Sequence, residues 1–445
     1  MAWKIRLRED AFGLIPSIVR GNFFVTDSVT TRNRLVYFRH DVWHRLSQPS
    51  LNQIISTMFD EIPTKLLKTI AEGKTRKLGF GGIRLLPKAT GVRLIMRLNR
   101  AGLRKGVLGN TAIPKLSKSI NQAMKPVLQV LQYEQSVNKE SLGSAILGTT
   151  DALPKLLAFQ KSLKDQGLLG RDLYFVKVDI QSCFDSIPPV QAYRAAKKFF
   201  RLNEYRIRQF ITVSMKNNDV FKRFISAAYP GPLDDSLELE YDPMENSEFA
   251  LFVKRTAKNF ENKIFIDGAK VTFYDRQELL RLLVEHIAGH IVQIGRKFYK
   301  QKKGIPQGSV VSTFLCNLLY SQLELEKLAF TSDNRDSLLL RLTDDFLYIT
   351  LDRDKAVTFF RRYPEYGATI NPAKSLTNFD LKMPHLHVPV LTRTSEFPYC
   401  GLTIHTTTLN VKRDLFKNPD QDIAGIQTIE YSYRPSESFM KRMLL

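Results

Sequence analysis

The chain has 445 residues, 43% of them hydrophobic, with 66 Lys and Arg against 44 Asp and Glu for a net charge of +22. Such a composition excludes a disordered polymer, leaves room for roughly one to three domains, and the basic excess fits a polyanionic partner. Three cysteines (Cys183, Cys316 and Cys400) at wide spacing exclude a disulfide framework and a cysteine zinc site, which fits a reducing compartment. No signal-peptide core, no run near the ~20 apolar residues that span a bilayer and no basic amphipathic anchor is present, so a membrane is not an expected partner.

In chain order, residues 21–46 read as a hairpin running into a helix, and 83–98 as two strands joined by Ala89-Thr90-Gly91, with glycine suited to the turn. Helical pattern covers 117–165, a strand 173–180, and a helix Pro189 to about Ser214. Residues 228–248 read as an exposed acidic loop, followed by a helix over 276–295. Gly304-Ile305-Pro306-Gln307-Gly308-Ser309 is a loop that feeds a helix over 310–329. A hairpin centred on Asp344-Asp345, a helix near 353–363 and paired strands near 397–412 complete the chain. Helices and strands alternate irregularly, which predicts an α+β fold.

Two strings carry the chemistry. LYFVKVDI (173–180) ends near Asp179, and LLLRLTDDFLYIT (338–350) holds Asp344 and Asp345 at its turn. Carboxylates at the ends of apolar strands are costly unless cations neutralise them. A pair of divalent ions held by such acids is the usual machinery for in-line displacement at phosphorus. Alone, an Asp-Asp pair reads equally as acids capping a strand at solvent.

The strings in order resemble the reverse transcriptases, and specifically the telomerase reverse transcriptase family, over about residues 23–440. FFVTDSVTTRNRLVYFRHDVWHRL resembles the T motif, IRLLPKATGVRLI motif 1, and VLQVLQYEQSV with SAILGTTD the motif 2 region. LYFVKVDIQSCFDSIP is similar to motif A, KKGIPQGSVVSTFLCNLLYSQLE to motif B′, LLLRLTDDFLYIT to motif C, YGATINPAKSLTNF to motif D and FPYCGLTIHTTTL to motif E. The 128 positions from Asp179 to Gln307 match in place and length the insertion that this family carries in its fingers, with Tyr205-Arg206-Ile207-Arg208 resembling its early helix. Leu94, Thr343 and Pro372 depart from the family pattern without removing a catalytic group.

The resemblance implies a right-hand polymerase core of fingers and palm with a helical insertion in the fingers and most of the thumb absent, as in a catalytic core fragment. The implied divisions are 1–60 (end of the RNA-binding region), 61–172 (fingers), 173–189 (palm), 190–300 (insertion), 301–415 (palm) and 416–445 (start of a truncated thumb). Asp179, Asp344 and Asp345 become ligands of two Mg2+ ions. Lys88 and Arg93 grip the incoming triphosphate, where the residues alone read as two solvated cations. Phe184 rejects a 2′-hydroxyl, or is a core aromatic. Gln307 and Gly308 lie against the nascent base pair, and Lys374 protonates the departing pyrophosphate or is a surface lysine. Tyr399, Cys400 and Gly401 form the primer grip or a packed turn. Asp185 reads as a helix-start residue, not a ligand. The basic and aromatic run 296–303 is expected to touch nucleic acid. The implied partners are a telomerase RNA template, a single-stranded telomeric DNA primer and deoxynucleoside triphosphates, at chromosome ends in the nucleus. The rivals are an intron- or retroelement-encoded reverse transcriptase, against which the T-like segment and the insertion speak, and an inactive RNA-binding scaffold, against which the three acids speak.

Overall fold

The computed structural model describes residues 15–27, 35–72, 76–88, 91–100, 118–216, 219–231, 248–257, 263–332, 335–362, 369–381, 387–391 and 396–414. Helix α1 (Ile15–Asn22) leads to the antiparallel strands β1 (Phe23–Asp27) and β2 (Leu35–Arg39), which run into helix α2 (His40–Met58) as the sequence predicts. Trp43, in the first turn of α2, stacks on Phe24 with ring centroids 4.5 Å apart, so aromatic contact sets the helix on the hairpin.

Strand β3 (Phe59–Glu61), helix α3 (Thr64–Glu72) and the antiparallel hairpin β4 (Gly81–Pro87) and β5 (Val92–Arg97) follow. Ala89 and Thr90 of the predicted turn lie outside the described residues. The predicted helical stretch divides into α4 (Ile120–Val137) and α5 (Thr149–Asp165). Ser119 starts α4 with a reciprocal capping box to Gln122.

After β6 (Tyr174–Asp179), a short turn of helix α6 (Cys183–Ser186) and α7 (Pro189–Phe199), the structure departs from expectation. The helix predicted to reach Ser214 stops at Phe199, and Tyr205-Arg206-Ile207-Arg208 lies in strand β7 (Glu204–Lys216). Tyr205 and Ile207, then Phe210 and Thr212 beyond a bulge at Gln209/Phe210, are buried at a spacing of two, and that period wins. Strand β7 is flanked by β8 (Asp219–Pro230) and, beyond helix α8 (Glu248–Ala257), by β9 (Lys263–Asp275). The described part of the segment expected to be a helical insertion therefore holds a three-stranded sheet beside its helices. Most of the predicted acidic loop, 232–247, lies outside the described residues.

Helix α9 (Arg276–Ile287) is capped by the Asp275 carboxylate, which accepts from the Gln277 and Glu278 amides. It ends well short of 295, because Gly289 breaks it and β10 (Ile291–Ile294) and β11 (Lys297–Gln301) form a hairpin. Helix α10 (Ser312–Lys327), β12 (Ser337–Leu342), β13 (Asp345–Thr350), α11 (Arg353–Arg362), β14 (Leu376–Thr377), β15 (Glu396–Tyr399), β16 (Leu402–His405) and β17 (Val411–Arg413) complete the described chain. Residues 416–445, expected to begin a thumb, lie outside the described residues.

The strands form a five-stranded sheet ordered β3-β11-β10-β4-β5, a four-stranded sheet β12-β13-β6-β14, two three-stranded sheets, β8-β7-β9 and β15-β16-β17, and the β1-β2 pair. No described strand between 190 and 300 enters the four-stranded sheet, but β10 and β11 return to complete the five-stranded one, with β10 parallel to β4.

The four-stranded sheet is buried on both faces. Val176, Val178, Phe346 and Tyr348 face the main core under α4, α7, α9 and α10. Phe175, Leu347 and Ile349, their neighbours in sequence, face a second core made by α5 and β15–β16. This is the alternation of a pleated strand. Beneath the sheet, the fully buried Arg341 guanidinium donates to Glu324, to Asn317 Oδ1 at 2.7 Å and to Leu142 O at 3.1 Å. Glu324 also accepts from the Ser144 amide at 2.8 Å and hydroxyl at 2.7 Å. A charge this deep is tolerated because every partner is satisfied.

Candidate active site

Strand β6 ends at Asp179, and its register places Asp179 opposite Asp345 at the start of β13. Asp344 sits between β12 and β13, and its carbonyl accepts from the Ile180 amide at 3.3 Å. The turn is a two-residue link, Thr343-Asp344, closing the Leu342↔Asp345 pair. Thr343 adopts φ 59, in the left-handed region that a β-branched side chain disfavours. Two neighbouring strands and one strained turn thus bring the three predicted acids to one edge.

Burial, then the charges of Asp345 and Asp179, push the Asp344 carboxyl up to about 6. Burial likewise raises Asp345, opposed by Lys177. A compensating cation is Lys374, whose Nζ lies 3.5 Å from Asp179 Oδ2 on a largely exposed side chain. Its segment is fastened to β6, with the Asn371 amide donating to Asp179 O at 2.9 Å and the Gln181 amide to Thr369 O at 2.8 Å. Strand β15 reaches the same edge. Tyr399 donates its hydroxyl to Asp345 O at 3.1 Å, and the Cys400 thiol lies 3.7 Å from Asp345 Oδ2. Cys400 and Gly401 turn the chain with φ of 48 and 83.

Among the described residues no three His, Cys, Asp or Glu side chains are grouped closely enough to hold a metal ion as they stand. Asp179 is buried, and Asp344 and Asp345 are half-buried at the sheet edge, where their carboxylates offer oxygen donors. That donor chemistry fits a hard divalent cation whose remaining ligands come from water and substrate phosphate.

A second group of residues lies on the five-stranded sheet. Lys88 follows β4, and its amide donates to Gly91 O at 3.0 Å. Burial lowers its ammonium, the positive charges of Arg93 and Lys374 lower it further, and Asp185 opposes them. Lys88, Arg93, Lys374 and Asp185 therefore share one field, which joins the hairpin to the acid edge. Asp185, partly buried, is raised by burial and lowered by Lys88 and Arg93. It lies in the first turn of α6, as the sequence reading has it, and is no neighbour of the three acids in the sheet.

The Gln307 loop is seated between these groups. With its amide oriented to satisfy both neighbours, Gln307 donates to Leu94 O at 2.9 Å and accepts from Arg93 Nε at 3.1 Å and from Nη2. Its carbonyl accepts from the Met96 amide at 2.8 Å. Gly308 has φ 110, and a Cβ there would stand 2.6 Å from Met96 O, so only glycine lets the loop lie against β5. Gly304 is pressed in the same way on Phe184 O and the Asp185 backbone. Phe184 packs against the main core, and its carbonyl accepts from the Ile305 amide at 2.8 Å.

Asn121 carries no sequence signal of a site, yet its buried amide donates to Gly308 O at 3.1 Å and accepts from the Val310 amide at 3.1 Å. In the run 296–303 the aromatics pack inward while the cations stay at the surface. Phe298 packs edge-on against Phe80, Tyr299 is buried, and Lys297 and Lys302 pair with Glu61 and Asp60 at 2.9 and 3.0 Å. As successive residues of a strand, Phe298 and Tyr299 point to opposite faces and pack into two separate apolar clusters, and the exposed cations of the run are Arg296, Lys297, Lys300, Lys302 and Lys303.

A family model described as the telomerase ribonucleoprotein complex RNA binding domain matches residues 12–54. Over 97% of the chain the sequence is 26% identical to the telomerase reverse transcriptase of Canis lupus familiaris and 27% identical to that of Takifugu rubripes. It is 27% identical over 85% of its length to that of Euplotes aediculatus. The chain spans 38%, 39% and 37% of these relatives respectively. The fold matches apo telomerase from Candida tropicalis with a TM-score of 0.63 at 21% identity, covering 92% of this chain and 59% of that one. Telomerase from Candida albicans in complex with a fragment of telomeric RNA matches with a TM-score of 0.63 at 19% identity, covering 91% of this chain and 56% of that one. Along nearly its whole length the chain is thus similar in sequence to telomerase reverse transcriptases, and its fold is similar to that of solved telomerases.

Proposed function

We propose that the chain is the catalytic region of an RNA-directed DNA polymerase that extends DNA 3′ ends by copying a dedicated RNA. The observation that carries this reading is the cross-strand pair Asp179 and Asp345 with Asp344 in the adjoining turn. Two Mg2+ ions held by these carboxylates would lower the pKa of the attacking 3′-hydroxyl and steady the leaving oxygen. The protein groups do the positioning. Lys88 and Arg93 bind the triphosphate and offset its charge. Gln307 fixes the Arg93 fork, and Gly308 lets the loop backbone approach the new base pair. Phe184 lies under the sugar. Lys374, 3.5 Å from Asp179, is placed to give a proton to pyrophosphate as it leaves. Tyr399, Cys400 and Gly401 set the primer end beside Asp345. The telomerase relatives favour a telomerase RNA as template, telomeric single strands as primer and the chromosome ends of the nucleus as the place of action.

The test is extension of a DNA primer on an RNA template with deoxynucleotides and Mg2+. The wild-type chain should add nucleotides, and Asp179→Ala, Asp344→Ala and Asp345→Ala should each reduce extension to background while primer–template affinity persists. Extension that survives loss of any one of the three acids would overturn the assignment.

A further inference from the structure

The last turn of α9 delivers a histidine to the loop that holds Gln307. His286 is fully buried, and its Nε2 lies 2.7 Å from Ser309 Oγ. The same hydroxyl oxygen accepts from the Val311 amide at 3.3 Å, at the entry to α10. Nδ1 of His286 has no hydrogen-bond partner. Burial pushes the imidazole down to about 4, so the ring is neutral at physiological pH. On the buried stripe of α9 the preceding positions are Leu279, Leu282 and Leu283. An apolar residue at 286 would continue that stripe, leave no orphan nitrogen and be less costly to bury. What histidine adds is the bond to Ser309.

That bond falls where the loop has few other side-chain holds. Ile305 is fixed through the Phe184 carbonyl and Gln307 through the Met96 amide. Asn121 holds Gly308 and Val310 from α4. His286 approaches from the opposite element, the helix that ends the insertion. We infer that His286 is a positioning residue. Through Ser309 it fixes the 304–311 loop so that Gln307 holds the Arg93 guanidinium, and it thereby couples the insertion to the nucleotide site. The nucleotide part of this inference rests on the polymerase reading; the loop part stands without it.

The test uses the full chain carrying His286→Leu, Ser309→Ala or His286→Gln. Leucine keeps bulk and removes both nitrogens, whereas glutamine keeps a hydrogen-bonding group near the position of Nε2. Residue-resolved amide exchange at Met96 and Val310 should speed up about tenfold or more in His286→Leu and Ser309→Ala and return toward wild type in His286→Gln. In primer extension the first two variants should raise the deoxynucleotide KM about five- to tenfold with kcat changed less than about twofold, and His286→Gln should restore it. Wild-type exchange at both amides in Ser309→Ala would overturn the inference, even if His286→Leu fails to fold. Faster exchange with an unaltered KM would overturn the coupling to nucleotide. A wild-type chain that extends no primer would instead sink the polymerase reading, and the exchange measurement would still decide the role of His286.

Discussion

Asp179 and Asp345 face each other across two antiparallel strands, the arrangement in which like charges repel most directly. Asp344, one residue away, carries the consequence, because its carboxyl is raised by burial and by both neighbours. The fold thus maintains three acids in a place that costs it stability, which is common where function fixes the residues.

Asp344→Asn should therefore stabilise the chain in magnesium-free buffer while abolishing primer extension. The folded pKa of Asp344, about 6, lies above its ordinary value of 3.8. The ionised group is penalised above the folded value, the penalty fades as pH falls between the two, and below the lower value both states are protonated. The variant should gain about 1–2 kcal/mol at pH 7.5, after allowance for partial solvent screening, and nothing below pH ~4. Denaturant unfolding at the two pH values measures this. An equal gain at both would mean that the asparagine acts by packing and not by removing charge.

Gly308→Ala should impair the site more than its size suggests. The new methyl meets Met96 O at 2.6 Å, on a backbone whose φ of 110 alanine disfavours. Displacing the loop breaks the Met96–Gln307 bond and moves the partner of Arg93. The expected loss of stability is about 1–3 kcal/mol, with a larger proportional loss in kcat/KM for deoxynucleotide. Calorimetry and steady-state extension would show it, and wild-type values in both would mean that the loop has room to move.

How far the sequence disclosed this site depends on the kind of contact. The acids, Lys88, Arg93 and the Gln307 loop sit in short strings whose order and chemistry identify them, and register then brings them together. Strand β7 is harder to read, because the bulge at Gln209/Phe210 breaks its period of two after Ile207. Asn121, His286 and Arg341 work through residues 17 to 199 positions away, and no local pattern specifies such partners. One signal was available. A histidine at the next buried position after Leu279, Leu282 and Leu283 breaks an apolar stripe, and a polar group there needs a partner.

Arg341 gives a test of the scaffold beneath the acids. Glu324→Gln leaves its guanidinium buried against a neutral amide and should destabilise the chain by about 3–5 kcal/mol. Arg341→Met with Glu324→Leu removes both charges and should recover much of that loss, although the Ser144 amide and hydroxyl lose their acceptor. Unfolding of the single and double variants decides between the outcomes. A double variant no more stable than the single would show that Glu324 matters through Ser144 rather than through Arg341.

Phe184 separates a gate from a core residue. It lies five positions after Asp179, on the turn of helix that folds back from β6, and its own carbonyl is tied to Ile305 in the loop that carries Gln307. The ring packs on the main core but is not fully enclosed. A gate needs both properties, since rigidity rejects the larger sugar and an open face meets it. Phe184→Ala should cost stability through lost packing, by about 1–3 kcal/mol for a part-buried aromatic. That loss says nothing of sugar choice. The informative quantity is the ratio of kcat/KM for deoxynucleotide over ribonucleotide, measured on one primer–template at a temperature where the variant is folded. It should fall on the order of tenfold or more, because removing a steric block helps the excluded substrate more than it harms the accepted one. Phe184→Tyr, which keeps the ring, should hold the ratio near wild type. A ratio unchanged by the alanine substitution, with the stability loss present, would assign Phe184 to the core alone and leave sugar selection to another group on the Gln307 loop.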